Sequence, residues 1–153
     1  MIRFITIYAA AFLIVACAVE DTTESFFTET KEVPAMPLSE ADKKILCRAT
    51  VAATMGRDIA IIGVDKFEDN ITYVSYKRPS DKTVWKTRCK TSGNKIIWST
   101  VDQEGPGTGF GRWRDHSMDS KIVYSIDSDT VTITEKFPDG SGSPKVFVRD
   151  DKK

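Results

Sequence analysis

The chain has 153 residues, 41% of them hydrophobic and 29% charged, which allows one domain of ordinary size with appendages and excludes a disordered composition. Its 22 basic and 22 acidic residues cancel, so no chain-wide positive charge points to nucleic acid and no acidic excess points to a basic partner. Three cysteines, Cys17, Cys47 and Cys89, cannot all pair within one molecule.

The first sixteen residues read MIRFITIYAAAFLIVA. Arg3 and the amino terminus are positive, and the apolar stretch from Phe4 to Ala16 is shorter than the roughly 20 residues a membrane span needs. This is the pattern of an export signal. A signal with an incidental cysteine and an uncleaved anchor helix are the competing readings. Ile14, Val15, Ala16 and Cys17 resemble, position by position, the lipobox of the bacterial lipoprotein family, with Ile14 where Leu is the usual residue. The resemblance implies cleavage before Cys17, a diacylglyceryl group on its thiol, and an acyl chain such as palmitate on the new amino terminus. Several acyl chains make a stable membrane anchor where one does not. Ala18 in place of aspartate implies, by the same resemblance, an outer-membrane destination facing the periplasm. Without residues 1–16 the charge becomes about −1.

Residues 17–38 are rich in Thr and Glu, contain Pro34 and Pro37, and have no clear period. They read as the lipidated cysteine and a flexible tether, with Phe26-Phe27 as the one apolar interruption. A single domain over 39–153 follows. Ser39 and Asp42 form a weak capping box, no Gly or Pro occurs from Glu40 to Met55, and Gly56 stands where a helix C-cap belongs. Ile45, Leu46, Ala49, Ala52 and Ala53 share one face of that helix, with Cys47, Val51 and Met55 on the adjoining arc.

Beyond Gly56 the period becomes two. Strands are expected at Ile59–Val64, Ile71–Lys77, Thr83–Lys90, Lys95–Thr100, Ile122–Ile126, Thr130–Phe137 and Lys145–Arg149. Short turns separate most of them, among them Ser92-Gly93-Asn94 and Asp127-Ser128-Asp129. The expected fold is α+β, with one N-terminal helix on a mainly antiparallel meander of about 6–7 strands; a half-closed β-barrel is the alternative. The mature domain resembles small envelope lipoproteins in size and plan.

With Cys17 taken by lipid, Cys47 and Cys89 remain as an even pair in an oxidising compartment, where a disulfide persists. A metal or redox role is the weaker reading, because Cys-x-x-Cys is missing and the single His116 lies far from both. No cofactor or metal is expected. The segment GPGTGFGRWRDH, Gly105 to His116, matches neither phosphate-binding glycine pattern and reads as a connection between strands. Long loops often carry function, and Arg112, Trp113, Arg114 and His116 are the binding candidates within it. Basic and aromatic residues interleave in Tyr73, Tyr76, Lys77, Arg78, Trp85, Lys86, Arg88 and Lys90, which on strands suits one buried and one solvated face better than a nucleic-acid platform.

These readings lead to an expected function. The chain is a membrane-anchored envelope lipoprotein with a small, non-enzymatic protein-binding domain, of inhibitor, immunity or phage superinfection-exclusion type. A structural accessory of an outer-membrane complex is the alternative. A hydrolase built on His116 ranks last, because no nucleophile motif accompanies it.

Overall fold

The computed structural model describes residues 37–102 and 109–149. The lipobox, Cys17, Phe26-Phe27 and nearly all of the tether lie outside the described residues, as do 103–108 of the glycine-rich segment.

Helix α1 runs over Glu40–Met55. The Ser39 hydroxyl accepts from the Asp42 amide at 3.1 Å, and the Asp42 carboxylate accepts from the Ser39 amide at 3.1 Å. Two of the helix's orphan donors are thereby satisfied reciprocally. Gly56 closes the other end at φ 60°, a left-handed conformation that glycine adopts without a Cβ penalty. The buried face comprises Ile45, Leu46, Cys47, Ala49, Thr50, Val51, Ala52 and Ala53, and its alanines let the backbone approach the sheet closely. Leu38, just ahead of the cap, also packs on this core.

The stretch Ile59–Ile61 is a 3-10 turn and not the start of a strand. Its isoleucines have strand propensity, but the Asp58 carboxylate accepts from the Ala60 amide at 2.9 Å and the Ile62 amide donates to the Ile59 carbonyl at 3.1 Å. These local bonds close a turn before pairing can begin. The strands are β1 Gly63–Glu68, β2 Ile71–Lys77, β3 Val84–Ser92, β4 Lys95–Asp102, β5 Gly109–Phe110, β6 Lys121–Ile126, β7 Thr130–Lys136 and β8 Gly142–Val148. All pairs are antiparallel, in the order β1-β2-β3-β4-β6-β7-β8, with β5 pairing β4 off that path. The fold is therefore α+β. The sheet has 8 strands, slightly more than expected, and it is open rather than closed into a barrel.

Cross-strand partners point to the same face, and alternate residues point to opposite faces. Thr72 and Val74 of β2, Thr87 and Cys89 of β3, Ile96 of β4, Ile122 of β6, and Val131 and Ile133 of β7 face α1 and form the core with it. The other face of β2–β4 carries no helix. Long-range ties fix α1 to the sheet, among them a Cys47–Cys89 disulfide with Cα atoms 5.6 Å apart, Lys145 of β8, whose Nζ donates to the Ala53 carbonyl at 2.6 Å, and Arg149, whose Nη2 donates to Asp42 Oδ1 at 2.6 Å. Burial works against the Asp42 carboxylate, but the Ser39 hydrogen bonds and the Arg149 guanidinium outweigh it and hold its pKa below the ordinary value.

Candidate functional site

Strand β4 shares its far edge between two neighbours. Lys95 and Ile96 pair with Val123 and Ile122 of β6, whereas Val101 and Asp102 pair with Phe110 and Gly109 of β5. The chain after β5 stays alongside β4. The Gly111 amide donates to the Thr100 carbonyl and the Arg114 amide to the Trp98 carbonyl, both at 2.9 Å, and the Ser99 hydroxyl donates to the Gly111 carbonyl at 2.5 Å. An apparent loop is thus laid down as an irregular extra strand, and it delivers its side chains to the sheet.

Two of them, Phe110 and Trp113, reach the helix-free face. The Arg88 guanidinium carbon lies 3.9 Å from the Phe110 ring centre and 4.2 Å from that of Trp113. Lys90 Nζ is 4.6 Å from the Trp113 ring. Tyr73, the cross-strand partner of Arg88, stands 6.3 Å from Phe110 and takes Lys66 Nζ over its own ring at 4.6 Å. Cations over ring faces gain about 0.5–2 kcal/mol each, more as they are desolvated. Arg88 Nε is buried and finds no hydrogen-bond partner among the described residues, and Nη2 donates to the Gly111 carbonyl at 3.4 Å, so ring faces and a backbone carbonyl rather than a carboxylate hold this cation. By strand parity Lys77, Lys86 and Lys95 share the face with Arg88 and Lys90, against Asp65 and Glu68 at the β1 edge. Lys66 pairs with Glu68 at 2.6 Å, and Asp65 accepts from Ser75 at 2.7 Å. A chain with no net charge therefore carries a locally basic, aromatic face, with Phe110 61% exposed on it.

Close approach of the backbone is required here. A Cβ on Gly111 would collide with Thr100 Oγ1 and crowd the Thr100 carbonyl at 3.3 Å. Gly111→Ala is expected to lift the segment from β4, costing roughly 1–3 kcal/mol as an overpacked contact and loosening Trp113 from Arg88. Chemical denaturation and Trp113 fluorescence check both effects, and adding Thr100→Ala should restore part of the loss.

The four loop candidates separate. Trp113 joins the open face, while Arg112, Arg114 and His116 gather around Asp119. Arg112 binds the Asp119 carboxylate through both Nη atoms at 2.6 Å, and the His116 amide donates to it at 3.0 Å. The exposed His116 ring accepts from the Met118 amide at 3.3 Å, a turn-forming contact. Arg114 Nη1 sits 3.8 Å from Asp119, with its guanidinium 5.3 Å from the Trp98 ring centre. The Arg112 hydrogen bonds, against some desolvation and with help from the His116 amide and the Arg112 and Arg114 charges, hold the Asp119 pKa down to about 2. A depressed carboxylate contributes stability that is present above the unfolded value of 3.8 and lost as pH falls through about 2. A carboxyl titration by NMR should find the Asp119 midpoint near that lower value, and Arg112→Gln should return it toward 3.8.

Tyr73 and Arg88, which the sequence placed in an interleaved basic and aromatic set read as strand faces, complete the site together with Phe110, which gave no signal as a binding residue. Strand parity separates Tyr73, Arg88 and Lys90 from Tyr76 and Trp85, which face the helix side, but parity alone does not bring Phe110 beside them. Among the described residues, no three His, Cys, Asp or Glu side chains gather as a metal ion requires. No family model, curated protein or solved structure matches the chain.

Proposed function

We propose that the chain is an exported, lipid-anchored envelope protein whose domain is non-enzymatic and binds an acidic protein through the open face of β2–β4. The observation that carries this reading is Arg88 held against Phe110 and Trp113 among lysines. A guanidinium fixed by ring faces and by a long bond from Nη2 to the Gly111 carbonyl keeps its Nη donors in place, so it loses little entropy when a carboxylate takes them. Arg, Trp and Tyr are the residue types that dominate interface energies, and the surrounding lysines would steer an acidic partner onto the face. The Cys47–Cys89 bridge fits an oxidising compartment, and the lipobox supplies the anchor at Cys17. An inhibitor or immunity protein meeting an incoming effector uses such a face transiently; an outer-membrane accessory uses it permanently.

Two measurements test the reading. Intact-mass analysis of the mature protein should give a chain that begins at Cys17 and carries added lipid mass; an unlipidated chain contradicts the anchor. Complexes isolated from mildly solubilised envelopes should contain an acidic partner that dissociates between about 0.1 M and 1 M salt, as the screening length falls from about 10 Å to about 3 Å. A partner retained unchanged at high salt contradicts electrostatic docking.

A further inference from the structure

We infer that a second surface, the groove between the β5–β6 connection and the β7–β8 turn, captures the free carboxyl end of a polypeptide that terminates in an apolar residue. The groove holds about 240 Å³ and is lined by Trp98, Arg114, Met118, Asp119, Ser120, Phe137 and Pro138, with the Ser120 hydroxyl donating to Glu135 at 2.6 Å. Trp98, Met118, Phe137 and Pro138 give it large apolar walls between the polar groups, and these are open to solvent: Met118 is 73% and Phe137 46% exposed. Apolar side chains left bare around a concave site mark it as a place where something is buried.

Charge selects the occupant. Asp119, the one acid in the lining, is already spent, because Arg112 occupies both of its oxygens and the His116 amide shares one. Arg114 stays 3.8 Å away, outside hydrogen-bond reach, and no acceptor among the described residues takes its guanidinium donors. The groove thus offers a guanidinium that is paired with Asp119 only at long range, with its hydrogen-bond donors left over, laid over the Trp98 indole at 5.3 Å beside apolar side chains. An anion attached directly to an apolar group satisfies both at once.

Size narrows the class. The volume lies below the roughly 300–1,000 Å³ that holds a drug-sized ligand, which suits a single large side chain with its carboxylate. A chain end fits, because only its last residue must enter and the rest leaves through the open side. A long acyl tail would overrun the pocket. Capture of a terminal carboxylate is an established peptide-recognition mode, and here a guanidinium replaces the usual backbone donors. This inference uses different residues from those of the open face and stands independently of it.

The test is a titration of the isotope-labelled mature domain, its spectrum read at the Trp98 indole and the Met118 methyl. The probes are N-acetyl-leucine, N-acetyl-leucinamide and decanoate. N-acetyl-leucine is expected to shift both signals and to bind at least tenfold more tightly than the amide. Arg114→Gln should abolish that difference while Arg114→Lys keeps part of it, and Phe137→Ala should weaken acid and amide alike. Arg114 is exposed, so its replacement leaves the core intact, and the dispersion of the remaining signals checks folding directly. Equal binding of acid and amide, tighter binding of decanoate than of N-acetyl-leucine, or shifts confined to Trp113 would each overturn the inference.

Discussion

Replacing Cys47 and Cys89 together with serine is expected to destabilise the domain by about 4 kcal/mol, the loop-closure entropy returned to the unfolded chain when a bridge over 42 residues is removed. For a domain of this size that corresponds to a fall in Tm of roughly 15 °C. The bridge joins the middle of α1 to β3, and both sulfurs lie in the core, where Cys47 is 1% and Cys89 3% exposed. Two buried hydroxyls in their place add a desolvation cost, so the double alanine variant should be the milder of the two. Calorimetry of oxidised wild type, reduced wild type and both double variants separates the entropic contribution from the packing one. The consequence reaches the site, because Arg88 is the residue immediately before Cys89 on β3. A loosened β3 is therefore expected to weaken the Arg88–Trp113 contact before the strands themselves separate.

The second large effect concerns binding. Arg88→Ala should weaken the acidic partner by about 2 kcal/mol, or roughly 30-fold, the scale of an interface hot spot. It removes the guanidinium and also leaves Phe110 and Trp113 without the group that lies between their contacts. Arg88→Lys keeps the charge and should still lose much of that affinity, since an ammonium offers neither a planar stack nor a two-donor edge. Lys90→Ala should cost less and should act mainly on the association rate and its salt dependence. Surface plasmon resonance with the purified partner reads both rates. A uniform small loss for all three variants would assign the face a diffuse electrostatic role instead.

The helix was legible because its signals are local. Ser39, Asp42 and Gly56 define both ends of α1 without reference to the rest of the chain. The hairpin strands were legible for a similar reason, since alternation and turn residues lie within a few positions of each other. The Ile59–Ile61 turn was misread because the side-chain bond that decides it comes from Asp58, and a β-branched run suggests a strand by propensity alone. Strand β5 gave no signal at all. Two residues, Gly109 and Phe110, show no period, and they pair only because β6 leaves half of the β4 edge open. The site depends on that non-local fact. Trp113 and Arg114 were recognisable as interface residue types, but their division between two surfaces follows from how the segment lies along β4. The local basic character of the open face is hidden for the same reason, because net charge averages over faces that the fold separates.

The most direct measurement is site-specific photo-crosslinking in intact cells, with a photoreactive phenylalanine placed in turn at Phe110, at Trp113 and at Lys44 on the exposed side of α1. The account predicts a crosslink to an acidic protein from positions 110 and 113 and none from 44, with the product lost when Arg88→Glu is added. Crosslinks from position 44 alone, or the same yield from all three positions, would contradict a binding function for the open sheet face.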